Sequence, residues 1–193
     1  MKTVFFDIDT QIDFMFPAGA LYVPGAERIV EKVAALNRYA AAHGIPVVSD
    51  MDAHTEDDQE FKTWPPHCVI GTAGQLKPAA TMLEKRVLIP YRPVQVQVEG
   101  AAQILFEKDA LDLFTNPNLP ALLAALEADR YVVYGVVTEY CVRLAALGLL
   151  ATGKPVTLVT DAVETLKAED RDATLDEFTG RGGELARVGE ICV

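Results

Sequence analysis

The hydrophobic pattern of the chain alternates between short apolar runs and longer amphipathic stretches. The apolar runs predict strands at 4–9, 45–49, 102–108, from 131, 156–160 and 188–192. The stretches between them predict helices at 26–43, 119–128, 138–152 and 168–179. Strands that alternate with helices form a parallel sheet with helices on both faces, so the pattern predicts a three-layer α/β/α sandwich, Rossmann-like, with a mostly parallel sheet of about six strands.

Two segments do not fit this alternation. Residues 50–75 show no periodicity, and a long irregular loop after a strand is more often functional than accidental. Residues 76–101 contain two short extended pieces, at 87–89 and 94–98, which are interrupted by prolines. We predict that these pieces form an excursion from the sheet.

The composition predicts the number of domains and the kind of partner. Half of the residues are hydrophobic and no linker or repeat divides the chain, so residues 1–193 are predicted to form one domain. The net charge of -11 disfavours nucleic acid and anionic membranes as partners, which leaves a small-molecule substrate. We predict neither a membrane span nor an apolar leader, and the three widely spaced cysteines are typical of a cytoplasmic protein. A homo-oligomer is left open.

The stretch from Val132 to Arg143 predicts a strand, a tight turn and a helix start with a thiol in the first helical turn. Gly135 ends the apolar run, and Thr138 is a residue type that caps helices. Unpaired N–H groups and the helix dipole favour an anion in this position, so Cys141 is expected to be more acidic than a free cysteine. The alternative is a small buried hydrophobe, because unpaired cysteines are among the most buried residue types.

Three predicted strand ends carry Asp9, Lys108 and Cys141. In a parallel sheet such ends converge on one edge. A lysine ammonium lowers the pKa of a nearby thiol, and a carboxylate can take the thiol proton and later give it to a leaving amine. The set therefore predicts nucleophilic catalysis. The alternative is that Asp9 caps a turn and Lys108 is a solvated surface charge.

The irregular loop carries a second group of side chains, Asp52, His54, Glu60 and His67. Asp52 and His54 are two apart in an extended segment and point to the same side. A further histidine and carboxylate complete a mixed nitrogen and oxygen set that suits one divalent ion of the zinc, iron or manganese type. The alternatives are hydrogen-bonded loop histidines, a solvated acidic run and plain core packing for Trp64.

Together these motifs resemble the isochorismatase-like cysteine hydrolases, and among them the nicotinamidase (pyrazinamidase) branch. The resemblance covers nearly the whole chain. It rests on the segments Asp9–Phe14, Asp52–His54, Trp64–Thr72 and Gly135–Val142. It implies an amidohydrolase that converts nicotinamide to nicotinate and ammonia through a thioester.

The resemblance also implies a role for each catalytic residue. Asp9 would be the general base, Lys108 the triad lysine and Cys141 the nucleophile. The backbone amides of Val137 and Cys141 would form the oxyanion hole, with a cis peptide before Thr138.

The resemblance further implies the binding residues. The metal ligands would be Asp52, His54 and His67, with Glu60 as the fourth, and the aromatic walls around a pyridine ring would be Phe14 and Trp64. The bound metal would act as a specificity device. Glu60 stands where many nicotinamidases have histidine, and Asp109 stands where a glycine often follows the triad lysine. These departures leave the exact substrate open.

Three alternative functions remain. The first is a metal-independent amidase or ureido hydrolase that uses the same triad on another small amide. A vinyl-ether hydrolase is disfavoured, because that chemistry does not need a thiol. The third is a non-enzymatic relative that binds metal or senses redox state, for which reversible oxidation of Cys141 would be the only activity.

Overall fold

A sheet of seven parallel strands forms the centre of the computed structural model, which describes residues 1–193. The strands are β1 (Thr3–Ile8), β2 (Val47–Asp52), β3 (Arg86–Ile89), β4 (Gln103–Lys108), β5 (Arg130–Gly135), β6 (Val156–Val163) and β7 (Glu184–Ala186). Their order across the sheet is β3-β4-β2-β1-β5-β6-β7, and every pairing is parallel. The predicted parallel α/β class is confirmed.

Helices cover both faces of the sheet. They are α1 (Ile12–Met15), α2 (Val30–Ala42), α3 (Leu119–Leu126), α4 (Arg143–Ala151), α5 (Ala168–Gly180) and α6 (Val188–Ile191). Short 3₁₀ segments lie at Ala26–Ile29, Gln59–Lys62, Ala79–Thr81 and Leu113–Thr115, and a turn with a kink at Tyr140 lies at Thr138–Val142. One apolar core packs α3, α4 and α5 against the sheet, and a second packs α2 against the opposite face. None of the helices combines the length and apolar character needed to cross a lipid bilayer.

Strand β1 shows why this sequence forms a central strand. Val4, Phe6 and Ile8 belong to the core under α3 and α4, whereas Phe5 belongs to the core under α2. Both faces of a central parallel strand are covered, so the strand is apolar on both sides. Asp7 interrupts this pattern, and it is fully buried.

A buried ion pair compensates Asp7 and fixes the segment that follows β1. The ammonium of Lys77 lies 3.4 Å from Asp7 Oδ1 and donates to Thr10 Oγ1 over 3.1 Å. Thr10 in turn donates to Asp7 Oδ1, and Ser49 donates to Asp7 Oδ2. Buried charges persist in proteins when they are paired in this way. The network therefore holds the chain immediately after Asp9 against the sheet.

The sheet has one strand more than predicted, because 86–89 is not an excursion. These residues form the edge strand β3, in which Val87 is the register partner of Ile104. Only Ile89 is buried in β3, so its four residues lack the continuous apolar run of a central strand. The alternating stretch 94–98 forms no strand, although its valines pack partly buried against the core of α3 and α4.

The prediction of a last strand at 188–192 is wrong. The strand is β7, and the residues after it begin helix α6. The N–H of Arg187 donates to Glu190 Oε2 over 2.7 Å, and the N–H of Val188 donates to Asp161 Oδ1 over 2.9 Å. These carboxylates satisfy donors that a helix start leaves unpaired, so they favour a helix over a strand here. Strand β2 also begins and ends later than the predicted 45–49, so Asp52 is its last residue.

Gly135 joins the end of β5 to the turn that carries Cys141. Its φ of +124° lies in a region that side chains rarely adopt. A Cβ atom at this position would stand 2.0 Å from the carbonyl oxygen of Ile8 in the neighbouring strand. Only glycine therefore lets the turn lie directly against the end of β1.

We expect Gly135→Ala to lower the free energy of unfolding by about 3 kcal/mol or more, because backbone strain and a clash add together. Gly153→Ala is the matched control. Its φ of +81° is also positive, but its Cβ would meet nothing within 4 Å, so strain alone should cost about 1 kcal/mol. Urea unfolding of both variants measures the difference, and equal losses would contradict the close approach.

Candidate active site

The structure brings Asp9, Lys108 and Cys141 together at the carboxyl end of the sheet. Asp9 directly follows β1, Lys108 ends β4, and Cys141 lies in the kinked turn Thr138–Val142 before α4. The Lys108 ammonium is 3.0 Å from Asp9 Oδ2 and 4.0 Å from the Cys141 sulfur. An acid, a cation and a thiol thus share one small volume.

Lys108 is fully buried, and it contacts two carboxylates rather than one. Besides Asp9, it forms a close ion pair with Asp52 Oδ1. Burial alone would lower the pKa of Lys108, but Asp52, Asp9 and Cys141 outweigh it and hold the pKa well above its usual value. Lys108 therefore remains a cation, and it cannot act as a base in this environment.

The predicted increase in acidity of Cys141 is wrong. Burial raises the pKa of this thiol well above its usual value, and the negative charges of Asp9 and Asp52 raise it further. Lys108 acts in the opposite direction, but its charge is shared with both carboxylates. The thiol consequently keeps its proton at neutral pH and needs a base to become a nucleophile.

Asp9 has the properties of such a base. Its pKa is raised, mainly by burial and then by the charge of Asp52, while Lys108 opposes the shift. Neither of its carboxylate oxygens accepts a well-aligned hydrogen bond. A carboxylate with a raised pKa accepts a proton more readily than an exposed one.

The turn around Cys141 contains a cis peptide bond between Val136 and Val137, one bond earlier than the cis peptide before Thr138 that the resemblance implied. The Val137 N–H donates no hydrogen bond within the protein. Thr138 fixes the turn from outside, because its N–H and its hydroxyl both donate to the carbonyl oxygen of Glu164, over 2.9 and 2.7 Å. The free Val137 amide is thus held beside the thiol.

A second cluster lies on the other side of Asp52. One ligand atom each from Asp52, His54 and His67 falls within 4.8 Å of the others, and all three residues are buried. The Nε2 atoms of both histidines are 3.6 Å from Asp52 Oδ2. His67 Nδ1 is 2.8 Å from the Pro65 carbonyl, which fixes the tautomer whose Nε2 lone pair faces the cluster.

This donor set fits a divalent cation of the zinc, iron or manganese type. The Nε2 atom of His54 is buried without a hydrogen-bond partner, as expected for a ligand whose partner is an ion, while Nδ1 lies 3.1 Å from Asp58 Oδ2. Burial would lower the pKa of His54, but Asp52 and then Asp58 raise it to about 9, so the site attracts positive charge. Glu60 Oε1 lies 3.9 Å from His67 Nε2, at the border of the cluster rather than within its compact set.

Gln11 holds Asp52 in place, a role that the sequence interpretation missed. Its side-chain amide donates to the Asp52 carbonyl, and its side-chain oxygen accepts the Asp52 N–H, each over 2.8 Å. The same amide donates to the Gln75 carbonyl. The sequence shows a glutamine two residues after Asp9, but it does not indicate which backbone groups the Gln11 side chain contacts.

A cavity opens beside the thiol and the metal donor set. Its lining consists of Phe14, Leu21, Tyr22, Val23, Asp52, Glu60, Trp64, His67, Leu111, Val137, Tyr140, Cys141 and Leu166. Trp64 meets Tyr140 edge to face, with ring centroids 5.8 Å apart. Phe14 and Trp64 were predicted as walls, whereas Leu111, Tyr140 and Leu166 were not. No lysine or arginine lines the cavity.

Comparisons with known proteins agree with this geometry. Residues 91–190 match the family model of the isochorismatase domain. The nicotinamidase of Escherichia coli is 24% identical over 186 residues, which cover 86% of this chain and 84% of the relative. The maleamate amidohydrolase of Pseudomonas putida is 26% identical over 180 residues, which cover 90% and 79%. Each relative is an amidohydrolase by name.

A solved structure is similar over almost its whole length. The pyrazinamidase of Pyrococcus horikoshii, solved in complex with zinc, is 30% identical, with a TM-score of 0.80 and coverage of 97% of this chain and 99% of that one. The chain therefore belongs to the isochorismatase family. Its relatives in that family include nicotinamidases and pyrazinamidases, so the chain is placed among the amide hydrolases.

We expect the Cys141 thiol to be protonated at neutral pH. A raised pKa means that the thiolate forms only as the pH rises above about 8.5, the ordinary value for free cysteine. The ultraviolet absorbance of the thiolate, titrated in the wild type and in Cys141→Ala, gives the contribution of this thiol by difference. A wild-type excess already present at pH 7 would contradict the expectation.

Proposed function

We propose that the enzyme hydrolyses nicotinamide to nicotinate and ammonia. The observation that carries this proposal is that the thiol and the metal donor set open onto one cavity: Cys141, Asp52 and His67 all line it. The walls are largely aromatic and aliphatic, which suits a flat heteroaromatic ring. A carboxamide on that ring would then lie at the thiol.

The first half of the reaction is acylation. Asp9 takes the proton of the Cys141 thiol, and the sulfur forms a bond to the carboxamide carbon. The carbonyl oxygen becomes an oxyanion, to which the amides of Val137 and Cys141 donate. When the carbon–oxygen double bond re-forms, the carbon–nitrogen bond breaks, Asp9 returns its proton to the nitrogen, and ammonia leaves.

The second half releases the acid. Asp9, again a carboxylate, removes a proton from a water molecule as the water oxygen attacks the thioester carbon. The carbon–sulfur bond then breaks, and the sulfur regains a proton from Asp9. Nicotinic acid leaves the cavity and loses its proton to solvent to become nicotinate, and the resting protonated thiol is restored. Lys108 compensates the negative charge of Asp9 in each step in which Asp9 is ionised.

The metal would be held by Asp52, His54 and His67, with Glu60 as a fourth ligand. When bound, it would supply a Lewis acid for the ring nitrogen of the substrate, which favours nitrogen heterocycles over other amides. Gln11 would help to orient this ligand set, because its side chain hydrogen-bonds both the N–H and the carbonyl oxygen of Asp52.

A maleamate-type substrate is a second candidate, because one relative is a maleamate amidohydrolase. Such a substrate carries a carboxylate next to its amide. The cavity offers Asp52 and Glu60 as charged lining residues, and it offers no lysine or arginine. An anion would therefore find no cationic side chain in the cavity to pair with, so the lining favours a neutral aromatic amide.

We expect Cys141→Ala to lower the rate of ammonia release from nicotinamide by at least about a thousandfold, because the covalent step is lost. A coupled ammonia assay measures this rate. Cys192→Ala is the matched control, since Cys192 lies outside the site, and it should keep the wild-type rate. Unchanged turnover in Cys141→Ala would overturn the thioester mechanism.

A substrate panel tests the specificity. We expect nicotinamide and pyrazinamide to be hydrolysed with similar kcat/KM, and maleamate to have a value at least about a hundredfold lower because no lysine or arginine in the cavity pairs with its carboxylate. Benzamide keeps the aromatic ring but lacks the ring nitrogen, so it isolates the contribution of that atom. A preference for maleamate would contradict the proposed substrate class.

A further inference from the structure

We propose that Asp58 is a positioning residue that orients two metal ligands at once, His54 and Glu60. This inference rests on the metal site in the proposed function. Asp58 Oδ2 lies 3.1 Å from His54 Nδ1. Its other oxygen, Oδ1, accepts the backbone N–H of Glu60 over 2.8 Å. One carboxylate thereby connects His54, a residue of the donor set, with Glu60 at its border.

The contact with His54 determines which ring nitrogen can bind a metal. His54 is fully buried, and its Nε2 faces Asp52 Oδ2. A carboxylate at Nδ1 favours the tautomer in which Nδ1 carries the hydrogen, which leaves the Nε2 lone pair free for an ion. The negative charge also makes the imidazole a stronger electron donor.

The contact with Glu60 sets the position of the loop. Asp58 is the N-cap of the 3₁₀ segment Gln59–Lys62, in which Glu60 lies. Capping fixes the start of that segment, and Glu60 then borders the donor set. The 3₁₀ segment also carries Phe61, whose ring meets His54 with a centroid distance of 5.3 Å. One contact of Asp58 therefore fixes the His54 ring, and the other fixes the 3₁₀ segment that packs against this ring.

The neighbouring Asp57 provides a matched control. It carries the same charge, and its Oδ1 accepts the Thr55 hydroxyl over 3.0 Å at the exposed surface. Substitution of Asp57 changes the net charge of the loop by the same amount as substitution of Asp58, but leaves the His54 contact intact. Comparison of the two variants separates the effect of orienting His54 from the effect of long-range charge.

The experiment is a zinc titration of chelator-stripped protein in competition with a chromophoric chelator. We expect Asp58→Asn to weaken zinc binding by about 10- to 100-fold, because the amide no longer offers a charged acceptor to Nδ1. Asp57→Asn should stay within about twofold of the wild type. With cobalt in place of zinc, the visible spectrum should change in Asp58→Asn and remain unchanged in Asp57→Asn.

A second variant separates orientation from the effect of the cap. Asp58→Ser keeps an N-cap oxygen for Glu60 but is too short to reach His54, so it should bind zinc as weakly as Asp58→Asn. Wild-type affinity in both Asp58 variants, or equal weakening in Asp57→Asn, would overturn the proposal. Absence of zinc binding in the wild type would overturn it together with the metal site, whereas ammonia release that depends on Cys141 would still support the thioester mechanism.

Discussion

The buried ion pair between Lys108 and Asp52 is the interaction on which the rest of the site depends. One oxygen of Asp52 meets the ammonium, and the other faces the Nε2 atoms of His54 and His67. The same ammonium is 3.0 Å from Asp9. Without the cation, two carboxylates would share a buried volume with no compensating charge, which proteins tolerate poorly. The pair therefore joins the thiol chemistry and the metal donors into one unit.

The register of the sheet creates this pair. Asp52 and Lys108 are direct partners in the parallel pairing of β2 with β4, and each is the last residue of its strand. β1 lies on the other side of β2, so Asp9 emerges beside them. Gly135 allows the turn after β5 to approach β1 and completes the arrangement with Cys141. Topology alone thus brings together residues that are far apart in the chain.

The sequence predicted the central strands because their apolar runs reflect burial on both faces. It predicted the extended piece at 87–89 but placed it outside the sheet, because the edge position of β3 leaves only one buried residue, and it predicted a strand where side-chain caps stabilise the helix at 188–191. Strand-end residues were placed correctly at one sheet edge, because parallel topology alone decides that. The thiol pKa was not predictable from local sequence, since it depends on burial and on how Lys108 is shared. The hydrogen bonds from the Gln11 side chain to the Asp52 backbone were not predictable either, because they join residues that are far apart in the sequence.

The charges of the site connect its two halves. Lys108 supplies one positive charge to two carboxylates, Asp9 and Asp52. Under the proposed function, a divalent ion held by Asp52 and the two histidines would add positive charge on the other side of Asp52. Lys108 would then compensate the charge of Asp9, the base that receives the thiol proton. The ion would compensate the charges of the carboxylates beside the substrate ring. The raised pKa of Asp9 agrees with this arrangement, because the charge of Asp52 disfavours ionisation of Asp9 while the charge of Lys108 favours it. A base whose pKa is shifted in opposite directions by two neighbouring charges can both accept a proton and return it within one turnover.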